Sequence, residues 1–291
     1  MTAAETTPQV FQQTVARYPE RVALRQKTLG LWHDISWQTY FERVQQLGAA
    51  LIAMGLEPGQ CVGIIGDNSP EWVLADMAVQ CAGGVSVGIY ATNAWEQVQY
   101  IVNHAETVFL FVENEEQLDK WLMFRDEAPT LRKVIVWDLE GLQQFEDPMV
   151  MTFADLLEAG RRALQDDPEA LAGRMQQVQP DDLAVLIYTS GTTGPPKGAM
   201  LTQNNLLSNA RTLIREWRFN SQDVLLHALP IFHTHGLFVA TNIMLAAGGC
   251  MIWLPKFDLD AILAGMPKAT TMMGVPTFYT RLLDDRRFTR E

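Results

Sequence analysis

Apolar side chains recur every three or four residues from Trp37 to Met54, the spacing that places them on one face of a helix. Ser36 precedes this run and has the hydroxyl of a typical N-cap residue. Gly55 follows it, and glycine commonly ends a helix because it tolerates a left-handed backbone. The pattern therefore predicts one amphipathic helix between Ser36 and Gly55.

Downstream of this helix, short apolar runs bounded by turn residues alternate with segments of helical period. The predicted strands are CVGIIGD, GVSVGIY, TVFLFV and KVIVWD. The predicted helices are PEWVLADMAVQCA, AWEQVQYIVNHA and a segment from Glu115 to Glu127. Strands that alternate with helices indicate βαβ units, and strands that are apolar throughout indicate a parallel sheet covered on both faces.

Residues 139–180 have a different character, because they are charged, contain three prolines and hold two predicted surface helices, FADLLEAGRRAL and EALAGRMQQV. We expect a subdomain boundary here. The prediction is a first α/β subdomain at 1–180, with a helical linker at 139–180, and a second α/β subdomain at 181–291. The second begins with the strand LAVLIY and continues with GAMLT and a helix from Asn204 to Arg218, for which Thr202 is the candidate cap.

Length and charge restrict the function. The 291 residues exceed the usual size of a single core. The formal net charge of −12 argues against a nucleic-acid partner, which requires a broad basic surface. The three cysteines are far apart and fit neither a disulfide framework nor a metal motif. With no signal peptide and no apolar run of about 18 residues, we expect a cytoplasmic protein without a membrane span.

The stretch YTSGTTGPPKGAM, Tyr188 to Met200, combines glycines, hydroxyl side chains and a lysine directly after a predicted strand. Glycines allow main-chain N–H groups to approach a phosphate, hydroxyls add donors, and Lys197 adds a positive charge. We call residues 188–198 the phosphate loop. It is not a Walker A loop, because no Ser or Thr follows the lysine. Pro195 and Pro196 disfavour immediate entry into a helix, so we expect the chain to return as another strand. The alternative is an ordinary solvated turn.

Three ordered motifs carry a family resemblance: DDLAVLIYTSGTTGPPKGAMLT, HALPIFHTHGLF and ATTMMGVPTFYTRLL. In these motifs the chain resembles the adenylate-forming enzymes, which include acyl-CoA synthetases, luciferases and peptide-synthetase adenylation domains. The resemblance covers essentially the whole chain. It implies the layered α/β/α sheets of the family's large N-terminal domain, with ATP, Mg²⁺, a carboxylic acid and coenzyme A as reactants, and an acyl-adenylate intermediate.

The resemblance also implies roles for individual residues. The family's phosphate-binding positions fall on Thr189, Ser190, Gly191, Thr192, Thr193, Gly194 and Lys197. Lys197 is the expected catalytic cation, and Thr192 is the expected residue at the metal. His233 matches an aromatic or histidine position beside the acyl carboxylate, where it is expected to act in catalysis and in substrate binding. His235 is a substrate-binding candidate whose alternative role is packing.

Arg281 bears on the choice of substrate. MMGVPTFYTRLL is expected to form a strand through Val275, a turn at Pro276–Thr277 and a helix that carries Arg281 into the acyl pocket. There its guanidinium could bind a second substrate carboxylate through paired hydrogen bonds. The alternative is a surface helical arginine. Trp217, Phe219, Trp253 and Phe257 are expected to be core aromatics.

The two halves of the chain resemble different members of the family. Residues 181–291 resemble malonyl-CoA synthetases, whereas residues 1–180 resemble bacterial long-chain fatty acyl-CoA synthetases. Because the second half lines most of the acyl pocket in this family, a short dicarboxylate such as malonate is the favoured substrate, and a long-chain fatty acid is the alternative. A chimera or an unusual homologue would explain the difference.

The family's later motifs have no counterpart before Glu291. They serve adenine and ribose recognition, the magnesium carboxylate, the hinge and the small C-terminal domain, which is expected to pack on this one. We therefore expect the 291-residue chain alone to have little or no synthetase activity. A non-catalytic nucleotide-binding remnant is the rival class.

Overall fold

The computed structural model describes residues 5–189 and 196–288. The strands are β1 Val22–Thr28, β2 Leu31–Ser36, β3 Cys61–Ile65, β4 Val85–Ile89, β5 Phe109–Val112, β6 Lys133–Val136, β7 Val150–Thr152, β8 Leu183–Thr189, β9 Lys197–Thr202, β10 Val224–His227, β11 Cys250–Trp253 and β12 Thr271–Met272. The helices are α1 Thr7–Arg17, α2 Trp37–Ala53, α3 Pro70–Cys81, α4 Trp95–His104, α5 Glu115–Leu122, α6 Phe153–Asp166, α7 Ala170–Gln177, α8 Gln203–Trp217, α9 Asn242–Ala247, α10 Leu259–Gly265 and α11 Pro276–Leu283.

Capping contacts explain where two of the predicted helices begin. The Ser36 hydroxyl accepts a hydrogen bond from the Thr39 main-chain N–H at 3.1 Å, as expected for the N-cap of α2. Thr202 likewise accepts from the Asn205 N–H at 3.2 Å, and the Asn205 side chain accepts from the Thr202 N–H at 3.0 Å. Gly55 follows α2 with φ of +90°, the left-handed conformation that ends a helix. The caps predicted from sequence are confirmed.

The first compact unit comprises residues 1–9, 41–66 and 71–205. Its seven-stranded sheet has the order β7-β6-β5-β3-β4-β8-β9, and every neighbouring pair is parallel except β8–β9. Every residue of β4 and β5 is buried, which confirms the expected sheet covered on both faces. Its core includes Ile65, Val112 and the fully buried Trp121.

The second unit comprises residues 10–40, 67–70 and 206–291. Its five-stranded sheet has the order β12-β10-β11-β1-β2, with β1–β2 antiparallel and the other pairs parallel. Leu226, Ile252, Ile262 and Leu282 are buried together in its core. None of the helices within the described residues is long and apolar enough to cross a bilayer.

This division differs from the subdomains expected at 1–180 and 181–291. Strands β8 and β9 lie beyond residue 180 but belong to the first sheet, because β8 pairs with β4 in the register Val87↔Leu186. The expected linker at 139–180 also contributes β7 to that sheet. In the opposite sense, β1 pairs with β11 of the second sheet, with Leu24 opposite Met251. Composition along the chain could not reveal these exchanges, because strand pairing over long sequence separation decides them.

Candidate functional site

The described ends of the phosphate loop lie side by side in the first unit. Strands β8 and β9 are antiparallel, with Thr189 opposite Lys197 and Tyr188 opposite Gly198, so the expected return into a strand is confirmed. The side chains of Thr189 and Lys197 are exposed to solvent. Ser190, Gly191, Thr192, Thr193 and Gly194 lie outside the described residues. Their expected phosphate contacts, and the expected role of Thr192 at a metal, therefore stay predictions.

The histidine motif lies in the second unit, after β10. His233 is exposed, and its carbonyl accepts a hydrogen bond from the Leu237 N–H at 2.9 Å. His235 is partly buried and begins a π-helical segment, His235–Thr241. Burial lowers the pKa of His235, and the neighbouring charge of His233 lowers it further. The two histidines are therefore electrostatically coupled, and His235 is held towards its neutral form.

Gly236 allows the start of the π-helical segment to pack closely against the main chain of Pro230. A Cβ atom at position 236 would lie 2.1 Å from the carbonyl oxygen of Pro230, so only glycine fits against the main chain there. The Thr241 hydroxyl donates to the Gly236 carbonyl at 2.9 Å and closes the wide helical turn. Such π-helical turns are frequent at functional sites.

A cavity of about 480 Å³ opens beside His235 within the second unit. Its apolar and aromatic lining includes Trp217, Phe219, Met272, Met273 and Tyr279. Trp217 is 50% exposed, so the expectation that it is a core residue is wrong, whereas Trp253 is buried as expected. An aromatic cavity next to a histidine is suited to bind the organic part of a small ligand.

Arg281 lies on α11, exposed to solvent, with its guanidinium carbon 5.5 Å from the centroid of the Phe257 ring. Phe257 packs in turn on Phe278, with ring centroids 4.2 Å apart. Arg281 is not one of the described residues that line the 480 Å³ cavity. The expected strand before it is also shorter, because β12 ends at Met272 and Pro276 is already the first residue of α11. Proline suits that position because its fixed φ matches a helical start.

Metal-binding potential is small in the described part of the chain. Within residues 5–189 and 196–288, no three His, Cys, Asp or Glu side chains are grouped as a metal ion would require. The expected role of Thr192 at a metal falls on a residue outside this part of the chain and stays a prediction.

Comparison with known proteins identifies the family. The family described as AMP-binding enzyme matches residues 11–291. This chain belongs to that family. Among its curated relatives is the long-chain-fatty-acid–CoA ligase ACSBG2 of Xenopus laevis, which is 32% identical over 95% of this chain and 38% of its own length.

Solved structures agree with the fold. ATP-bound MatB from Rhodopseudomonas palustris superposes with a TM-score of 0.79 and is 34% identical, over 98% of this chain and 52% of that chain. The N-terminal domain of FACL13 from Mycobacterium tuberculosis, 20% identical with a TM-score of 0.76, shares the fold. The chain thus spans about two fifths of the length of ACSBG2 and half that of MatB.

Asn68 is a structurally important residue of this chain that the sequence analysis did not identify. It is buried and donates hydrogen bonds from Nδ2 to the carbonyls of Leu229 at 2.8 Å and Leu254 at 3.1 Å. Its Oδ1 accepts from the Ile231 N–H at 2.7 Å. The amide therefore joins the end of β11 to the segment that leads to His233. In the sequence it is part of a polar turn, GDNSPEW, and only the separation of 161 residues from Leu229 hid its role.

We expect Asn68→Ala to destabilise the protein by roughly 2 kcal/mol, because it leaves two carbonyls and one N–H unpaired in the interior. Asn103→Ala is the control, since Asn103 makes an exposed hydrogen bond to the Glu127 carbonyl at 3.0 Å. That variant should lose less than about 1 kcal/mol. Urea unfolding measures both. Equal losses would contradict a structural role for the buried amide.

Proposed function

We propose that this chain forms the phosphate-binding part of an AMP-forming acid–CoA ligase, which converts a carboxylic acid to an acyl-adenylate and then to a CoA thioester. The observation that carries the proposal is the strand–loop–strand arrangement in which Thr189 and Lys197 flank the glycine-rich segment of a member of the AMP-binding family. Both side chains are exposed and could therefore reach a ligand.

The proposed chemistry follows from charge. An acid carboxylate and the α-phosphate of ATP are both anionic, so their reaction requires cations and N–H donors at the phosphates. We assign Lys197 to neutralise charge that develops on the departing pyrophosphate, with Thr189 as an additional hydroxyl donor. No described carboxylate lies within ion-pair distance of Lys197, so its charge is available to an anionic ligand. Such local charge can act in a chain of net charge −12, since charges beyond roughly 8 Å are screened.

We assign His233 to guide the acyl carboxylate, and His235 to the same pocket as a substrate-binding residue. A partly buried imidazole whose pKa is lowered stays neutral near pH 7 and can donate one hydrogen bond to a carboxylate. His233 is exposed to solvent, and the main-chain hydrogen bond of its turn uses its carbonyl and not its imidazole.

For the acid, we propose a short dicarboxylate such as malonate. Arg281 supports this choice, because its guanidinium stacks on Phe257 with no carboxylate among the described residues in ion-pair distance. A guanidinium held over an aromatic ring retains its N–H donors at the edge, where a second substrate carboxylate could bind.

A long-chain acid is the second candidate, and the 480 Å³ cavity favours it. At roughly 30 Å³ per water molecule, that volume corresponds to about 16 waters, far more than a three-carbon diacid needs. The curated relative ACSBG2 is named for long-chain fatty acids.

The test uses the chain extended by a family C-terminal portion and measures ATP- and CoA-dependent thioester formation with malonate and with palmitate. We expect malonate turnover, and Arg281→Ala should reduce kcat/KM for malonate at least about tenfold through loss of a charged hydrogen-bonded pair. Arg215→Ala is the control, because Arg215 is a surface helical arginine paired with Glu216. Palmitate turnover that is indifferent to Arg281 would reject the dicarboxylate and support the long-chain acid. Failure with every acid would reject the ligase.

A further inference from the structure

Two rings on one face of α4 contact the described ends of the phosphate loop in the first unit. Tyr100 and His104 are four residues apart, the spacing that stacks side chains along a helix. Their ring centroids are 5.3 Å apart and their planes differ by 24°. The two side chains therefore lie next to each other on one face of α4.

The imidazole contacts the residue that enters the phosphate loop. His104 Nδ1 lies 2.7 Å from the Tyr188 hydroxyl, and the two rings meet edge to face with centroids 5.7 Å apart. Tyr188 is only 5% exposed, and this burial raises the pKa of its hydroxyl to about 12. The phenol thus keeps its proton at neutral pH and can donate a hydrogen bond to His104 Nδ1.

The tyrosine contacts the residue that leaves the loop. The Tyr100 hydroxyl donates a hydrogen bond to the Pro196 carbonyl at 3.2 Å. Pro196 immediately precedes β9 and has no N–H with which to join the strand ladder, so its carbonyl is the polar main-chain group that can be held there.

The two contacts are linked through the strands. Tyr188 is opposite Gly198 in the β8–β9 register, and a Cβ at position 198 would lie 3.3 Å from the Tyr188 ring. The Tyr188 ring therefore covers the start of β9, while its hydroxyl is held by α4. Entry and exit of the phosphate loop are consequently fixed to the same two side chains of one helix.

We propose that Tyr100 and His104 are positioning residues that hold the ends of β8 and β9, and so determine how well Thr189 and Lys197 on those ends bind the triphosphate. The proposal rests on the proposed function of this loop. Two side chains that are already held in place lose less conformational entropy when they bind a ligand. Without the two contacts, Thr189 and Lys197 would have to be brought into place at the expense of ATP-binding energy.

The test compares Tyr100→Phe, His104→Ala, the double variant and His104→Gln, which restores a hydrogen-bonding group. Tyr18→Phe is the matched control, because the Tyr18 hydroxyl makes no hydrogen bond among the described residues, although the Tyr18 ring packs under Arg17 and Arg21. Two readouts are made on the extended chain. The first is the KM for ATP and for the acid in ATP–pyrophosphate exchange. The second is the rate of tryptic cleavage after the exposed Lys197, with and without Mg·ATP.

We expect each single variant to raise the KM for ATP about three- to tenfold, the equivalent of one net hydrogen bond, with the KM for the acid changed less than about twofold. Cleavage after Lys197 should become faster in the same variants, and His104→Gln should recover part of both effects. Values equal to those of Tyr18→Phe for both readouts would overturn the proposal. So would equal increases in both KM values, because that pattern indicates general destabilisation. If Mg·ATP neither protects the wild type nor supports exchange, the proposed function itself fails, and the role of the pair in ATP binding fails with it.

Discussion

Gly160→Ala should destabilise the protein by more than about 4 kcal/mol, far beyond the usual effect of adding one methyl group. Gly160 is buried on α6, and a Cβ there would lie 1.8 Å from the carbonyl oxygen of Gln46 on α2 and 2.8 Å from the Gln46 Cα. Because both contacts are with helix backbone, no side chain can rotate away. One of the two helices must move, and the packing between them must open.

Gly173→Ala is the matched control for this prediction. Gly173 also lies in a helix, α7, but its Cβ would have no heavy atom within 4 Å. Alanine should therefore stabilise the helix by about 0.5–1 kcal/mol, because glycine loses more backbone entropy on folding. Chemical unfolding of both variants, followed by circular dichroism, gives the comparison. Similar changes in the free energy of unfolding would show that α6 does not approach α2 as closely as described.

A substitution at Gly48 should have an effect between those at Gly160 and Gly173. A Cβ at Gly48 on α2 would lie 2.6 Å from a terminal methyl carbon of Leu171. That methyl group belongs to a flexible side chain, so part of the overlap can be relieved by rotation. The comparison of Gly160 with Gly48 shows that the identity of the neighbouring atom, and not distance alone, determines what a substitution costs.

Local features of the fold could be predicted from sequence, and non-local ones could not. The bounds of α2 followed from Ser36, Gly55 and the period between them, all of which are contiguous. The assignment of strands to sheets depends on pairs such as Leu24 with Met251, which lie 227 residues apart (251 − 24). Apolar strands look alike in sequence, so the expected boundary at residue 180 was wrong.

The candidate site divides in the same way. The phosphate loop was found because glycines, hydroxyls and Lys197 are adjacent in sequence, and β8 and β9 confirm its strand–loop–strand form. Asn68 and Tyr100 were missed because both bind main-chain carbonyls, which leave no trace in residue type. The sequence marks Tyr100 only as part of a segment with helical periodicity, and it marks Asn68 only as part of a polar turn.

His227 should make folding of this protein strongly sensitive to acid. It is the last residue of β10 and is 1% exposed, and its ring centroid lies 4.6 Å from that of Trp253. Burial lowers its pKa from 6.5 to about 3, although a hydrogen bond with the Gly236 main chain partly opposes the shift, and the charge of His235 adds to it. The folded protein therefore keeps His227 neutral over most of the acid range.

The sign follows from proton linkage. Below pH 6.5 the unfolded chain binds a proton at His227, whereas the folded chain does not bind it until about pH 3. The free energy of unfolding therefore falls as the pH falls between these values. The full difference corresponds to roughly 5 kcal/mol, of which about 2.7 kcal/mol is lost by pH 4.5. Asp76 acts in the opposite sense, because burial raises its pKa to about 6. Its contribution is common to wild type and variant and cancels in their difference.

His227→Gln isolates the contribution of the imidazole, because glutamine retains an N–H donor for the Gly236 main chain but does not titrate. At pH 8 the variant should be less stable than wild type by about 1–3 kcal/mol through lost ring packing. At pH 4.5 the difference in stability between variant and wild type should be smaller by about 2.7 kcal/mol, since only the wild type is destabilised by protonation of His227 in its unfolded state. His33→Gln, at an exposed position on β2, should leave the pH dependence unchanged. Urea unfolding at the two pH values measures all three proteins. A deficit of the same size at both values would mean that water or a polar partner reaches His227 and that its proton affinity is ordinary.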